Sequence, residues 1–146
     1  MSIEANPQSL AHELIHKVTI KETNNNMPYW LAEGLATHFS GNQISKSPAR
    51  VKMSIIEMQN TDLEKLTAMK DILSYYESAQ EAVEFIINTY GREALDEIMV
   101  ELSQYPFEDK TGSEVHRKNT EIFNIAAEKV LNKNTNELDL EFVSEK

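Results

Sequence analysis

Helix-breaking residues are rare in this chain, and their rarity restricts the folds open to it. Four glycines and four prolines occur in 146 residues, and apolar residues recur at three- and four-residue spacing. This spacing places apolar side chains on one face of a helix, and no pair of strand-like segments is visible. The sequence therefore predicts an all-α fold of about six helices, at residues 7–20, 28–40, 47–59, 74–90, 92–104 and 114–131.

The length suits a single domain, and an apolar content of 40% suffices for one modest core. We expect residues 1–131 to form this helical domain. Residues 132–146 are polar and are expected to form a tail. Leu138, Leu140 and Phe142 alternate there, which is typical of a short strand or of an unordered segment.

The first predicted helix is amphipathic. Leu10, Leu14 and Val18 are spaced four apart, which places them on one helical face. We expect that face to be buried against the rest of the domain. The polar run Asn24-Asn25-Asn26 then ends the helix.

The charge balance argues against two classes of partner. The formal net charge is −10, a poor match for nucleic acid or for an anionic membrane surface.

There is no cysteine, which excludes thiolate metal sites and disulfides. No apolar run approaches the ~20 residues of a transmembrane helix, and no signal peptide is visible, so a cytoplasmic location is the default expectation.

The run His12-Glu13-Leu14-Ile15-His16 lies inside the first helix. Histidines four apart share one face, so both imidazoles can reach one metal ion without bending the backbone. Glu13 points beside that face, where it can accept a proton from an attacking water. An ordinary amphipathic helix with exposed histidines explains the same pattern.

A second motif follows in the next helix, at Trp30-Leu31-Ala32-Glu33-Gly34-Leu35-Ala36. Glu33 stands among apolar residues that should be buried, and a buried carboxylate needs a compensating charge or hydrogen bonds. A zinc ion is one such charge. Gly34 allows a close approach of another backbone or an ion. The alternative is a surface glutamate, a common residue in this chain.

Together, H-E-L-x-H, a short polar linker and P-x-W-L-x-E-G-L-A resemble the gluzincin clan, in particular its peptidase MA-like family. The second motif is also similar to the W-L-x-E-G-F-A motif of the aminopeptidase N family. The resemblance implies one zinc ion per chain with His12, His16 and Glu33 as ligands, and Glu13 as catalytic base. It further implies that the chain is the C-terminal, catalytic-type helical half of a gluzincin fold.

The resemblance extends to the fourth helix, where the family carries a tyrosine that stabilises the oxyanion. That position matches Tyr76, although the adjacent Tyr75 competes for it. A tyrosine of the core with a satisfied hydroxyl is the alternative for either residue.

The chain also departs from the family. His38 replaces an aromatic residue, and we interpret it as structural or as a support to a ligand, with metal ligation the less favoured role. Thr37 stands where relatives carry a supporting acid. Only eleven residues precede His12, too few for the sheet that binds substrate in relatives. His116 has no partner motif, so we expect a solvated surface residue.

These observations favour a zinc-dependent peptidase that hydrolyses a peptide or protein substrate with a zinc-activated water. Two other classes remain open. One is a zinc-binding helical module, truncated or inactive, that cleaves nothing. The other is a helical interaction domain without a metal. Metal analysis separates the last class from the first two, and a peptidase assay separates the first from the second.

Overall fold

The structure is a computed structural model that describes residues 7–40, 52–106 and 113–144. Within these ranges the chain is helical and contains no strand, so the all-α prediction is confirmed. The helices are α1 (Pro7–Glu22), α2 (Tyr29–Ser40), α3 (Ile55–Gln59), α4 (Met69–Tyr90), α5 (Arg92–Ser103), α6 (Ser113–Leu131) and α7 (Thr135–Ser144). A short 3-10 helix, Leu63–Lys65, connects α3 to α4.

The predicted boundaries agree within two residues for α1, α2, α5 and α6. Helix α4 begins five residues before its predicted start at residue 74. The predicted start of the third helix, 47–51, lies outside the described residues. Residues 52–54 are not helical, because Ser54 and Glu57 form a capping box, each side chain bonding the other's backbone N–H at 3.1 Å.

The core forms where α2 packs between α1 and α4. Trp30, Leu31 and Leu35 of α2 are fully or nearly fully buried, and Trp30 packs edge-on against Phe123 of α6. Because α2 is the central helix, its side chains project toward several neighbours at once. One of its residues, Glu33, projects toward α1.

The predicted apolar face of α1 is not buried. Leu10, Leu14 and Val18 are each about half exposed, so that prediction is wrong. A helix turns roughly 100° per residue, which places Leu14 about 200° from both His12 and His16. The histidine face of α1 packs toward α2, and the apolar stripe is therefore left on the opposite side.

Three consecutive asparagines turn the chain from α1 into α2. Asn24 and Asn25 adopt left-handed backbone conformations, with φ of 54° and 59°, which asparagine tolerates better than most residues. The side-chain amide of Asn24 donates to the carbonyl of Ser103 at 2.8 Å, and that of Asn26 donates to the carbonyl of Leu102 at 3.0 Å. The linker is thereby bonded to the end of α5.

The C-terminal segment is an ordered helix, so the prediction of a strand or unordered tail is wrong. Leu138 and Phe142 of α7 are buried in the core. Asn134 and Glu137 exchange side-chain to backbone hydrogen bonds of 2.9 and 3.2 Å, a capping box that starts the helix. Residues 132–144 therefore belong to the same folded unit as the helices before them.

Helix α7 also holds α3 in place. The carboxylate of Asp139, itself largely buried, accepts a hydrogen bond from the backbone N–H of Ile55 at 2.7 Å. That N–H is one of the first of α3 and has no partner within the helix. The acid on α7 thus caps the five-residue helix α3.

Two residues of α7 provide a matched test of this packing. Phe142→Ala should lower the free energy of unfolding by about 3–5 kcal/mol, because it leaves a cavity beside Phe85. Leu140→Ala should change it by less than about 0.5 kcal/mol, since Leu140 is 68% exposed. Urea denaturation of both variants measures the difference. Equal, small effects would contradict the docking of α7.

Candidate metal centre

Helices α1 and α2 bring three predicted ligands together. His12 and His16 occupy successive turns of α1, and their Nε2 atoms lie 3.0 Å apart. Glu33 of α2 reaches across, with Oε1 2.8 Å from His16 Nε2 and Oε2 3.5 Å from His12 Nε2. The structure thus places in one cluster the residues that the two sequence motifs single out.

The separations match those of ligands that share one metal ion. Nitrogen and oxygen ligands at about 2.0–2.1 Å from a tetrahedral zinc lie about 3.3 Å from one another. One donor atom from each of the three side chains lies within 4.8 Å of the other two. Two neutral imidazoles and one carboxylate are also a donor set that zinc accepts in proteins.

The polar atoms of the cluster are poorly satisfied by the protein. The side chains of His12, His16 and Glu33 are only 17%, 18% and 15% exposed. Glu33 Oε2 and His12 Nδ1 are buried without a hydrogen-bond partner among the described residues. Leaving a buried carboxylate oxygen unpartnered is costly. A cation bound between the three side chains would remove that cost at Glu33.

The electrostatics of the cluster also favour a bound cation. The hydrogen bond to Glu33 raises the pKa of His16 above its ordinary value, although desolvation acts in the opposite direction. The charges of Glu33 and Glu13 add to the increase. The carboxylates of the site therefore favour positive charge at His16.

Glu13 lies beside the cluster on the exposed side of α1. Its charge contributes to raising the pKa of both His16 and Tyr76. An exposed carboxylate that is near the ligands without being one of them is free to take a proton from water. Its role as base stays a prediction.

The structure separates the two candidate tyrosines. Burial, the charge of Glu33 and hydrogen bonding to Glu33 together raise the pKa of Tyr76 to about 12. Tyr75 is fully buried, and its hydroxyl has no hydrogen-bond partner among the described residues. Burial raises the pKa of Tyr75 strongly. Of the two, Tyr76 has the half-buried hydroxyl beside the metal cluster, as its predicted role requires.

The other two histidines, His38 and His116, lie outside the ligand cluster. His38 contacts Glu84 of α4 at 3.2 Å and is outside the ligand cluster, in agreement with a structural role. His116 is not the solvated residue that we predicted. Its Nε2 bonds the carbonyl of Gln59 at 2.8 Å, and its ring stacks on Tyr29 at 5.3 Å.

One feature that is usual in zinc sites, a partner for the second ring nitrogen of a ligand histidine, is absent at His12 among the described residues. His12 Nδ1 has no hydrogen-bond partner, whereas a ligand histidine usually donates its second N–H to a carboxylate or carbonyl. Thr37, one turn after Glu33, is buried and carries no acid. The supporting acid that the family resemblance would place at residue 37 is therefore missing, as the sequence indicates.

Sequence reasoning missed the residues that orient the two ligand helices. Asn119 of α6 donates from its side-chain amide to the carbonyls of Asn25 and Met27, at 3.1 and 3.2 Å. With Asn24 and Asn26, it fixes the linker between the histidines and Glu33. The three successive asparagines were the available signal, but their partners are 76 to 94 residues away in the chain.

Gly34 sets the depth of α2 against α4. A Cβ at this position would lie 2.4 Å from the carbonyl oxygen of Ala79 and 2.6 Å from Val83 Cγ2. Only a glycine allows the two helices to approach so closely. The prediction that Gly34 permits a close backbone approach is confirmed, and the backbone concerned is that of α4.

Comparison with family models, with curated proteins and with solved structures finds no match for this chain. The gluzincin resemblance therefore rests on the motifs alone. Among the described helices, none combines the length and apolar character needed to cross a membrane.

Gly34→Ala tests how tightly α2 packs against α4 at Gly34. In an unconstrained helix the change would favour folding by about 1 kcal/mol. Here we expect a loss of about 1–3 kcal/mol, because α2 must move away from the Ala79 backbone. Urea denaturation gives the sign. A neutral or stabilising result would show that α2 and α4 are less tightly packed.

Proposed function

We propose that this protein is a zinc-dependent peptidase with His12, His16 and Glu33 as the metal ligands. The observation that carries the proposal is the convergence of their donor atoms at 2.8–3.5 Å on one partly open face. Three protein ligands that leave a coordination position free are typical of catalytic zinc, whereas structural zinc usually has four.

When bound, zinc supplies Lewis acidity, which lowers the pKa of a water at the site to about 7. In the proposed reaction Glu13 accepts the proton from the water that attacks the peptide carbonyl. Glu13 then delivers this proton to the leaving amine, so a single carboxylate serves as base and as acid. The hydroxyl of Tyr76, which like any tyrosine hydroxyl is protonated at neutral pH, donates a hydrogen bond to the carbonyl oxygen as negative charge develops there.

The first test is the metal itself. Protein purified without chelator should contain about one zinc ion per chain by mass-spectrometric metal analysis. His16→Ala should reduce zinc content to background, because it removes a ligand that bonds both other members of the cluster. His38→Ala is the matched control and should keep its zinc. Parent protein without zinc after reconstitution rejects the site.

Zinc should also join α1 to α2 and so stabilise the fold. With free zinc at roughly a hundred times its Kd, binding to the folded state alone should raise Tm by about 5–10 °C. Chelation should reverse this increase in the parent and in His38→Ala, and should have no effect on His16→Ala. A melting curve that chelation leaves unchanged in the parent would contradict a metal held between the two helices.

The two glutamates should show different defects. Glu13→Gln keeps size and polarity but loses basicity, so zinc should stay bound while cleavage of a quenched peptide disappears. Glu33→Gln should weaken zinc binding by about 10-fold or more. Glu22→Gln, on the exposed face of α1, is the control. The reverse pattern, with zinc lost in Glu13→Gln and kept in Glu33→Gln, overturns the roles.

The tyrosine pair extends the same assay. Tyr76→Phe should retain zinc and lower kcat by about 10²-fold, the usual effect of losing one oxyanion donor. Tyr75→Phe should leave kcat unchanged, because its hydroxyl is buried in the core. A larger loss in Tyr75→Phe would exchange the two assignments. Zinc bound by a parent that cleaves no peptide would instead favour the zinc-binding module.

A further inference from the structure

A cleft of about 410 Å³ opens directly beside the metal cluster. His16 and Glu33 form one end of it. From there the cleft runs along the C-terminal half of α1 and is closed by the asparagine linker, by the 3-10 helix and by α6. Its volume lies within the range of about 300–1,000 Å³ that is usual for ligand pockets.

The walls of the cleft are mainly apolar. Away from the metal cluster they include Ile20, Met27, Leu63 and Val115, which come from four separate segments of the chain. Met27 and Val115 are buried by their own packing, so these walls are preformed. A preformed apolar pocket selects for apolar groups, because filling it removes their surface from water.

The charges around the cleft disfavour anionic side chains. Among the described residues that line it, none is a lysine or an arginine, and Glu33 and Glu64 are acidic. An anionic side chain would therefore be repelled. Glu64 also accepts a hydrogen bond from the hydroxyl of Tyr29 at 3.0 Å, which orients its carboxylate at the cleft and leaves its negative charge in place.

We infer that this cleft binds an apolar side chain of the substrate, from the residue that flanks the cleaved bond. The inference rests on the proposed peptidase function, since the metal cluster fixes where that bond lies. Because His16 and Glu33 also line the cleft, a carbonyl bound at the cluster places the neighbouring residue, about 3.8 Å away between Cα atoms, next to the cleft. Peptides with leucine-like residues at this position are the expected substrates.

Two residues of α1 make a matched pair for testing the cleft. Ile20 is 44% exposed and lines the cleft, whereas Val18 is 52% exposed and does not. Both tolerate a long side chain because neither is fully buried. Ile20→Arg adds a cation to the cleft wall, and Val18→Arg adds the same charge to the same helix outside it.

The experiment uses hydroxamates, which bind metal through one end and carry a chosen group at the other. Isocaproyl, succinyl and aminobutyryl hydroxamates present an apolar, an anionic and a cationic group, and acetohydroxamate presents none. On the zinc-loaded protein, calorimetry should show isocaproyl hydroxamate binding about 10-fold or more tightly than acetohydroxamate. The two charged compounds should show no such gain.

The variants then locate the effect. Ile20→Arg should abolish the isocaproyl gain and favour the succinyl compound, while Val18→Arg should behave as the parent does. If acetohydroxamate binds but the isocaproyl group adds nothing, or if a charged group binds best, the inference is overturned and the metal proposal stands.

A second measurement tests ligand binding in the cleft without the metal. In the zinc-free protein, isocaproyl hydroxamate at millimolar concentration should shift the methyl NMR signals of Ile20 and Val115 and leave those of Val18 and Val100 in place. Absence of these shifts overturns the cleft inference. Shifts in a protein whose zinc-loaded form fails to bind acetohydroxamate reject the peptidase proposal and retain an apolar binding cleft.

Discussion

The position of the three candidate ligands depends on how α1 is joined to α2, and side-chain amides anchor the linker between these helices. The amides of Asn24 and Asn26 bond carbonyls at the C-terminal end of α5. Those carbonyls lie in the last turn of α5, beyond which the helical hydrogen bonds end, so the contact adds a partner to each while it anchors the linker. Asn119 bonds the same linker from α6. Helices that contribute no ligand therefore help to hold the two ligand helices in place.

Much of the helical content and the candidate ligands could be predicted because both are local properties. Few breakers and regular apolar spacing define helices, and histidines four apart share a face whatever surrounds them. The direction in which a helix faces is different, since it depends on its neighbours. On α1 the stripe at Leu10, Leu14 and Val18 has the stronger apolar pattern, yet the histidine face is the one that packs on α2.

Where prediction failed, the sequence pattern was ambiguous or the contact was distant. Leu138 and Phe142 satisfy a two-residue period and a four-residue period alike, and only the Asn134–Glu137 capping box distinguishes helix from strand. The partners of His116 lie more than 50 residues away in the chain, so no local sequence pattern predicts these contacts. The cleft could not be predicted from the sequence for the same reason, because its walls come from separate segments of the chain.

The capping of α3 by Asp139 has a consequence for the order of folding. A five-residue helix cannot persist alone, because nucleation costs more than so few hydrogen bonds return. Besides the local Ser54–Glu57 capping box, α3 takes a second cap from Asp139, 84 residues away in the chain, and this contact requires a long loop to close. Helix α3 should therefore form late, after α7 docks, and the two should open together in native-state hydrogen exchange as one cooperative unit distant in sequence.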